Sequence, residues 1–201
     1  MNYSITISFI IGGLLLLSVI RLNNTVSQHA VENTVNNMVS IQMNEVRKFV
    51  THDFEYFGFE LESDKAEVTQ LDEDMVEFVA YIDGDYRTIR WELTDSTYSG
   101  SQNPNVKSLM REGYMPGIAA STVETVFPAS RFEVTAFSDI EGTVVTTNPA
   151  NVMSVSIEVE VESTFANGSN PDNSLNFRNI EWSHHFINEF ENLKTLNGNN
   201  L

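Results

Sequence analysis

Two hydrophobic periods follow one another in this chain, and before them stands a run with no period at all. From Ile7 to Ile20 (ISFIIGGLLLLSVI) the residues Ile7, Phe9, Ile10, Ile11, Leu14, Leu15, Leu16, Leu17, Val19 and Ile20 are broken only by Ser8, Gly12, Gly13 and Ser18. No charged side chain precedes Arg21. About 20 helical residues of this kind span about 30 Å, the hydrocarbon thickness of a bilayer. Past Asn23 the apolar residues Val31, Val35, Met38, Val39, Val46, Phe49, Val50 and Phe54 recur at three- and four-residue steps, with Asn, Gln, Ser, Glu and Lys between them. That is helical periodicity. With neither Pro nor Gly from Leu14 to Phe57, the pattern predicts one helix of about 50 residues, roughly 75 Å long. Its first part is a membrane half and its second part is amphipathic. Gly58 stands where a left-handed C-cap is wanted. Val31, Val35, Met38, Val46 and Phe49 are the side chains expected to pack this helix on the rest of the chain. Their drifting spacing, without steady heptads, argues against a plain coiled-coil stalk.

After Ala66 the period changes to two. Val76, Phe78, Ala80 and Ile82 alternate with polar residues, as do Ile89, Trp91 and Leu93 beyond Asp83-Gly84. A two-residue Asp-Gly turn between alternating segments predicts a hairpin, because a primed turn needs positive φ. Phe132, Val134 and Ala136 form a further strand, followed by a turn at Glu141-Gly142 and a return through Val144-Val145. Met153, Val155, Ile157, Val159 and Val161 alternate with Glu158, Glu160 and Glu162, so one face is buried and the other wet. Tyr98 to Pro104 and Gly113 to Pro128 read as irregular, residues 166–174 as a loop, and Leu175 to His185 as a last strand. The predicted class is therefore α+β: a long N-terminal helix packed on an antiparallel β-sheet. The expected division is a transmembrane half at 1–22, an amphipathic half at 23–58, a β-rich domain at 66–190 and a tail at 191–201.

Charge and chemistry then narrow the function. Lys and Arg total 11 against 28 Asp and Glu, a net charge of -17, which speaks against nucleic-acid binding, since phosphate recognition needs clustered positive charge. There is no cysteine, hence no disulfide and no thiolate metal site. A cleaved secretory signal carries a basic n-region and a small-x-small cleavage site; neither precedes or follows this apolar run, so a retained anchor is expected. Arg21 alone leaves its orientation open. His184 and His185 are neighbours on a predicted strand and point to opposite faces, so zinc binding with Glu189 is not expected. The acids Asp72, Glu73, Asp74, Asp83 and Asp85 form no calcium-loop pattern. No serine sits in a strand-to-helix glycine elbow, and no glycine-rich phosphate loop is present. Neither an enzymatic activity nor a cofactor or metal is expected.

The order of elements, together with VRKFVTHDFEYFGFE, where Asp53, Tyr56 and Gly58 end the helix, resembles the type IV pilin-like family. The likeness is to minor pilins and minor pseudopilins of type IV pili and type II secretion systems. The hairpin at Asp83 to Asp85, SLMREG around Arg111 and the late alternating strand add to it. The chain differs in lacking a basic leader and any acidic residue before Glu32. The resemblance implies a pilin-like fold and a structural subunit or accessory of a bacterial envelope filament or secretion apparatus. It further implies a single pass through the inner membrane, with the N-terminus cytoplasmic and the domain extracytoplasmic. Partners would be other pilin-like subunits, inner-membrane assembly proteins and lipid, met through the apolar helix. The alternative is a solitary membrane-anchored domain that binds an extracellular ligand.

Overall fold

A computed structural model describes residues 3–58, 68–115, 122–166, 168–169 and 175–188. One helix, α1, runs unbroken over Tyr3–Phe54, 52 residues, or about 78 Å at the usual rise. Nothing in the sequence interrupts its backbone ladder after Gly13, and its polar hydroxyls are folded back onto it. Ser18 donates to the Leu14 carbonyl (2.9 Å), Thr25 to Arg21 (3.0 Å) and Thr34 to Ala30 (2.8 Å). The last turn tightens through Tyr56 N–H to Asp53 O (3.3 Å) and Phe57 N–H to Phe54 O (3.2 Å). The chain then leaves through Gly58 at φ 75°, a left-handed conformation that glycine adopts without strain.

The β part is antiparallel throughout and forms two main sheets rather than the single one expected. The first is a five-stranded meander of β1 (Val68–Asp72), β2 (Met75–Ile82), β3 (Asp85–Thr97), β4 (Lys107–Gly113) and β5 (Val123–Ala129), in that order. Between β2 and β3, Asp83 (φ 53°) and Gly84 (φ 83°) make the primed turn that their dipeptide predicts. β6 (Arg131–Phe137), β7 (Ser154–Glu162) and β10 (Asn179–Ile187) form the second sheet, in the order β10-β7-β6. Two short pieces, β8 (Gly168–Ser169) and β9 (Leu175–Asn176), pair with each other. The chain changes sheets at Ser130, whose N–H and hydroxyl both donate to the Glu160 carbonyl (2.8 and 3.1 Å). A strand that bends from one sheet into the next is a usual way to make a corner.

Three local expectations are corrected. The stretch Gly113 to Pro128 contains β5, which ends in a buried Phe127, Pro128 and Ala129; Pro128 hid it, yet proline is tolerated there because β5 is an edge strand. Val144-Val145 does not return as a hairpin strand. It makes one bridge, Phe137 to Val145, because β6 takes β7 as its partner instead. The last strand is not continuous from Leu175, since Asn176 ends β9 and β10 begins only at Asn179. The expected tail at 191–201 and most of the loop at 166–174 lie outside the described residues.

The core forms where α1 lies against both sheets. Phe54 packs on Phe78 of the first sheet (ring centroids 4.8 Å) and on Phe186 of the second (4.9 Å). Trp91 of β3 stacks on Phe127 of β5 (5.8 Å) and Phe132 of β6 (6.1 Å), closing the corner. The alternating faces behave as their pattern predicts: Val76, Phe78, Ala80 and Ile89 are fully buried, and so are Val155, Ile157, Val159 and Val161.

Candidate functional site

The candidate functional surface of this chain is α1, whose two parts differ sharply in burial. From Thr6 to Thr34 every side chain is exposed. Within this stretch lie all the residues proposed for the membrane, Ile7, Phe9, Ile10, Ile11, Gly12, Gly13, Leu14, Leu15, Leu16, Leu17, Val19 and Ile20, none of which touches the domain. An 18-residue window here has a mean hydropathy of 1.8, long and apolar enough to cross a membrane. A Cβ added at Gly12 or Gly13 would meet nothing, so within one chain neither glycine serves close packing.

The buried stripe begins at Val35 and continues through Val39, Met43, Val46, Val50 and Phe54, in steps of four, four, three, four and four. Of the side chains expected to pack, Val35 and Val46 are buried, while Met38 and Phe49 are half-buried. Val31 is a correction. It stays 49 % exposed, one turn before the sheets begin to cover the helix. Met43, not among the side chains expected to pack, is 4 % exposed and belongs to the stripe. Its place midway between Val39 and Val46 was the available signal.

At the end of this stripe a charge is buried. Asp53, 1 % exposed, sits on the apolar face of the last helical turn, three residues after Val50. Arg111, 2 % exposed, lies on the inward face of β4, between the buried Leu109 and Gly113. The two meet as a bidentate pair: Arg111 Nε donates to Asp53 Oδ2 and Nη2 to Oδ1, both at 2.7 Å. Trp91 Nε1 donates a third bond to Oδ2 at 2.8 Å. Arg111 Nη2 also reaches the Tyr114 carbonyl (3.1 Å), and the Phe49 ring lies 5.6 Å beneath the guanidinium. Gly113 makes room for it, since a Cβ there would stand 3.1 Å from Nη2. Nη1 has no partner among the described residues.

Burial is the largest influence on the Asp53 carboxyl and pushes it above its ordinary value; Arg111, Trp91 and His52 pull it back down. Desolvation thus offsets much of the attraction, as is general for buried ion pairs, which confer geometry more dependably than net stability. In the sequence Asp53 and Arg111 stand 58 residues apart and nothing local joins them. The signal that could have joined them is a pair of opposite charges, each falling on an otherwise apolar face.

The remaining candidate chemistry is absorbed by structure. His184 stacks on Trp182 (5.9 Å) and meets Phe186 edge-on (4.5 Å), while His185, on the other face, meets the Ile140 carbonyl (3.2 Å). Glu189 lies outside the described residues. Asp83 accepts the Tyr114 hydroxyl (2.9 Å), and Asp85 pairs with Arg87 (3.0 Å). Glu158, Glu160 and Glu162 face outward from β7; Arg131 bridges Glu133 and Glu158, Asn179 reaches Glu160 and Asn103 reaches Glu162. A hydrogen bond with Glu158 raises the Glu181 carboxyl, and the same bond, then Arg131, lowers that of Glu158. Among the described residues no three His, Asp or Glu side chains are placed to hold a metal ion.

The architecture is thus that of an α+β protein with, among the described residues, a single candidate membrane span or signal anchor continuous with its core helix. Comparison with protein-family models, with curated proteins and with solved structures finds no match to this chain.

Proposed function

We propose that this chain is a structural subunit or accessory of a bacterial envelope filament or secretion apparatus, of the minor pilin or pseudopilin kind. The observation that carries the reading is the continuity of α1. One helix of 52 residues supplies both the apolar, uncovered span and the buried spine of the domain. Such a rod couples whatever its membrane half binds rigidly to the position of the domain. Apolar helices of many copies can bury their stripes against one another as they leave lipid, and heterologous contacts of that sort build open filaments or short tips. On this reading the N-terminus is cytoplasmic, the domain stands outside the inner membrane, and the partners are pilin-like chains and the proteins that assemble them.

Extraction of the full chain in mild detergent, followed by cross-linking through cysteines placed at Leu15 or Ile20, tests the proposal. Copies or other pilin-like chains joined helix to helix are expected. A monodisperse monomer with no joined neighbour, at native expression and with its usual neighbours present, would count against assembly and favour the solitary anchored binding domain.

A further inference from the structure

The geometry points to the Asp53–Arg111–Trp91 cluster as a register lock, which holds α1 against a one-turn slip along the sheets. The apolar stripe does not fix that register by itself. If α1 moved by four residues, Val35 would enter the place of Val39, Val39 that of Met43, Val46 that of Val50 and Val50 that of Phe54. Every one of those exchanges puts an aliphatic side chain where an apolar one now lies. Gln42 would enter the fully buried place of Val46, the one polar misfit in the slipped stripe and an uncharged one. A slip the other way is excluded by charge, because it drives Arg47 into the place of Met43. Of the two one-turn slips, only the first avoids burying a charge in the stripe itself, and it brings the domain nearer the apolar half of the helix by four residues, or about 6 Å.

The lock removes that competitor. In the slipped register Phe49 would occupy the place of Asp53, leaving Arg111 buried without the carboxylate that now takes two of its hydrogen bonds at 2.7 Å. Asp53 itself would be carried into the place of Phe57, which is fully buried. Two uncompensated charges in the core cost far more than any loss of apolar fit. Specifying register at little gain in net stability is the best-attested role of buried polar pairs, and one-turn ratchets are a known way for packed helices to have two states. Here the lock sets the distance at which the domain stands from the bilayer. It rests on side chains of the domain alone and does not depend on whether the chain assembles.

The test uses the full chain in detergent or nanodiscs. The absence of native cysteine lets spin labels be placed at Asn24→Cys, on the bare part of α1, and at Ser183→Cys, on the exposed face of β10. The parent should give one distance. In a Gln42→Leu background, which should itself keep the single distance, Asp53→Leu combined with Arg111→Met keeps the core apolar in both registers, and it should add a second population shorter by about 6 Å. A folded double variant with only the parental distance would overturn the lock. Should that variant fail to fold, Asp53→Asn combined with Arg111→Gln in the same background removes both charges while keeping two side chains that can hydrogen-bond each other. A minor shortened population is expected there too, and its absence would overturn the proposal equally.

Discussion

Valines occur in both parts of α1, yet Val26 and Val31 lie 57 % and 49 % exposed while Val39, Val46 and Val50 are fully buried. Residue type does not separate them, and neither does helical conformation. What separates them is that two sheets curve around α1 only from Val35 onward. The earlier part leaves its apolar surface uncovered, and the hydroxyls of Ser18, Thr25 and Thr34 donate to carbonyls one turn back. The later part has spent the same kind of surface on its own domain, and closes that surface with a buried ion pair. One half of the helix is therefore defined by what it leaves open and the other by what it covers.

Substitutions should expose this division by affecting one half at a time. The largest effect is expected from Asp53→Ala, which strands Arg111 in the core and should cost about 3–5 kcal/mol in chemical denaturation of the domain. Glu32→Ala, at an exposed side chain whose partner is the exposed His29 at 3.3 Å, should leave the same curve unmoved. Leu15→Arg tests the other half. A cation at the centre of a membrane helix costs about 2.5–3.5 kcal/mol of insertion, so membrane retention should fall in fractionation while the melting of the domain is unchanged. Val46→Ala should lower domain stability by roughly 2 kcal/mol, whereas Val31→Ala should stay within about 0.5 kcal/mol. Equal losses from the two valines would mean that cover begins a turn earlier than Val35.

The smallest effect lies at the surface, in the loop after β6. Asp139 accepts from the Thr143 hydroxyl, from Thr143 N–H (2.9 Å) and from Val144 N–H (3.3 Å), and these bonds, led by the hydroxyl, hold its carboxyl below the ordinary range. A depressed folded value means that the contribution is present above the unfolded value of about 3.9 and is lost as pH falls below it. Amide exchange at Thr143 and Val144 should quicken between neutral pH and that acidic range, beyond the intrinsic change with pH. The Asp139→Asn variant should show a weaker dependence.

Periodicity made several of these elements readable in advance. The unbroken α1 follows from the lack of Pro and Gly between Leu14 and Phe57, and the primed turn at Asp83-Gly84 follows from its dipeptide. β5 was not readable, because a seven-residue segment with Glu124, Thr125 and Pro128 carries no clean alternation. Its burial comes from Phe127 meeting Phe49 (5.2 Å) and Trp91, neither of which is local to it.

By itself, then, the sequence determined what short-range pattern can encode: a continuous helix, its apolar and amphipathic portions, and which face of β2, β3, β6 and β7 turns inward. Tertiary structure decided the partners. It split the strands into two sheets at Ser130, left Val31 uncovered and Met43 covered, and brought Asp53 to Trp91 and to Arg111, 38 and 58 residues further along. Alternation tells a residue only which side to face. Which residue it meets there depends on how distant segments stack, and a buried charge becomes tolerable only once that stacking supplies its counterpart.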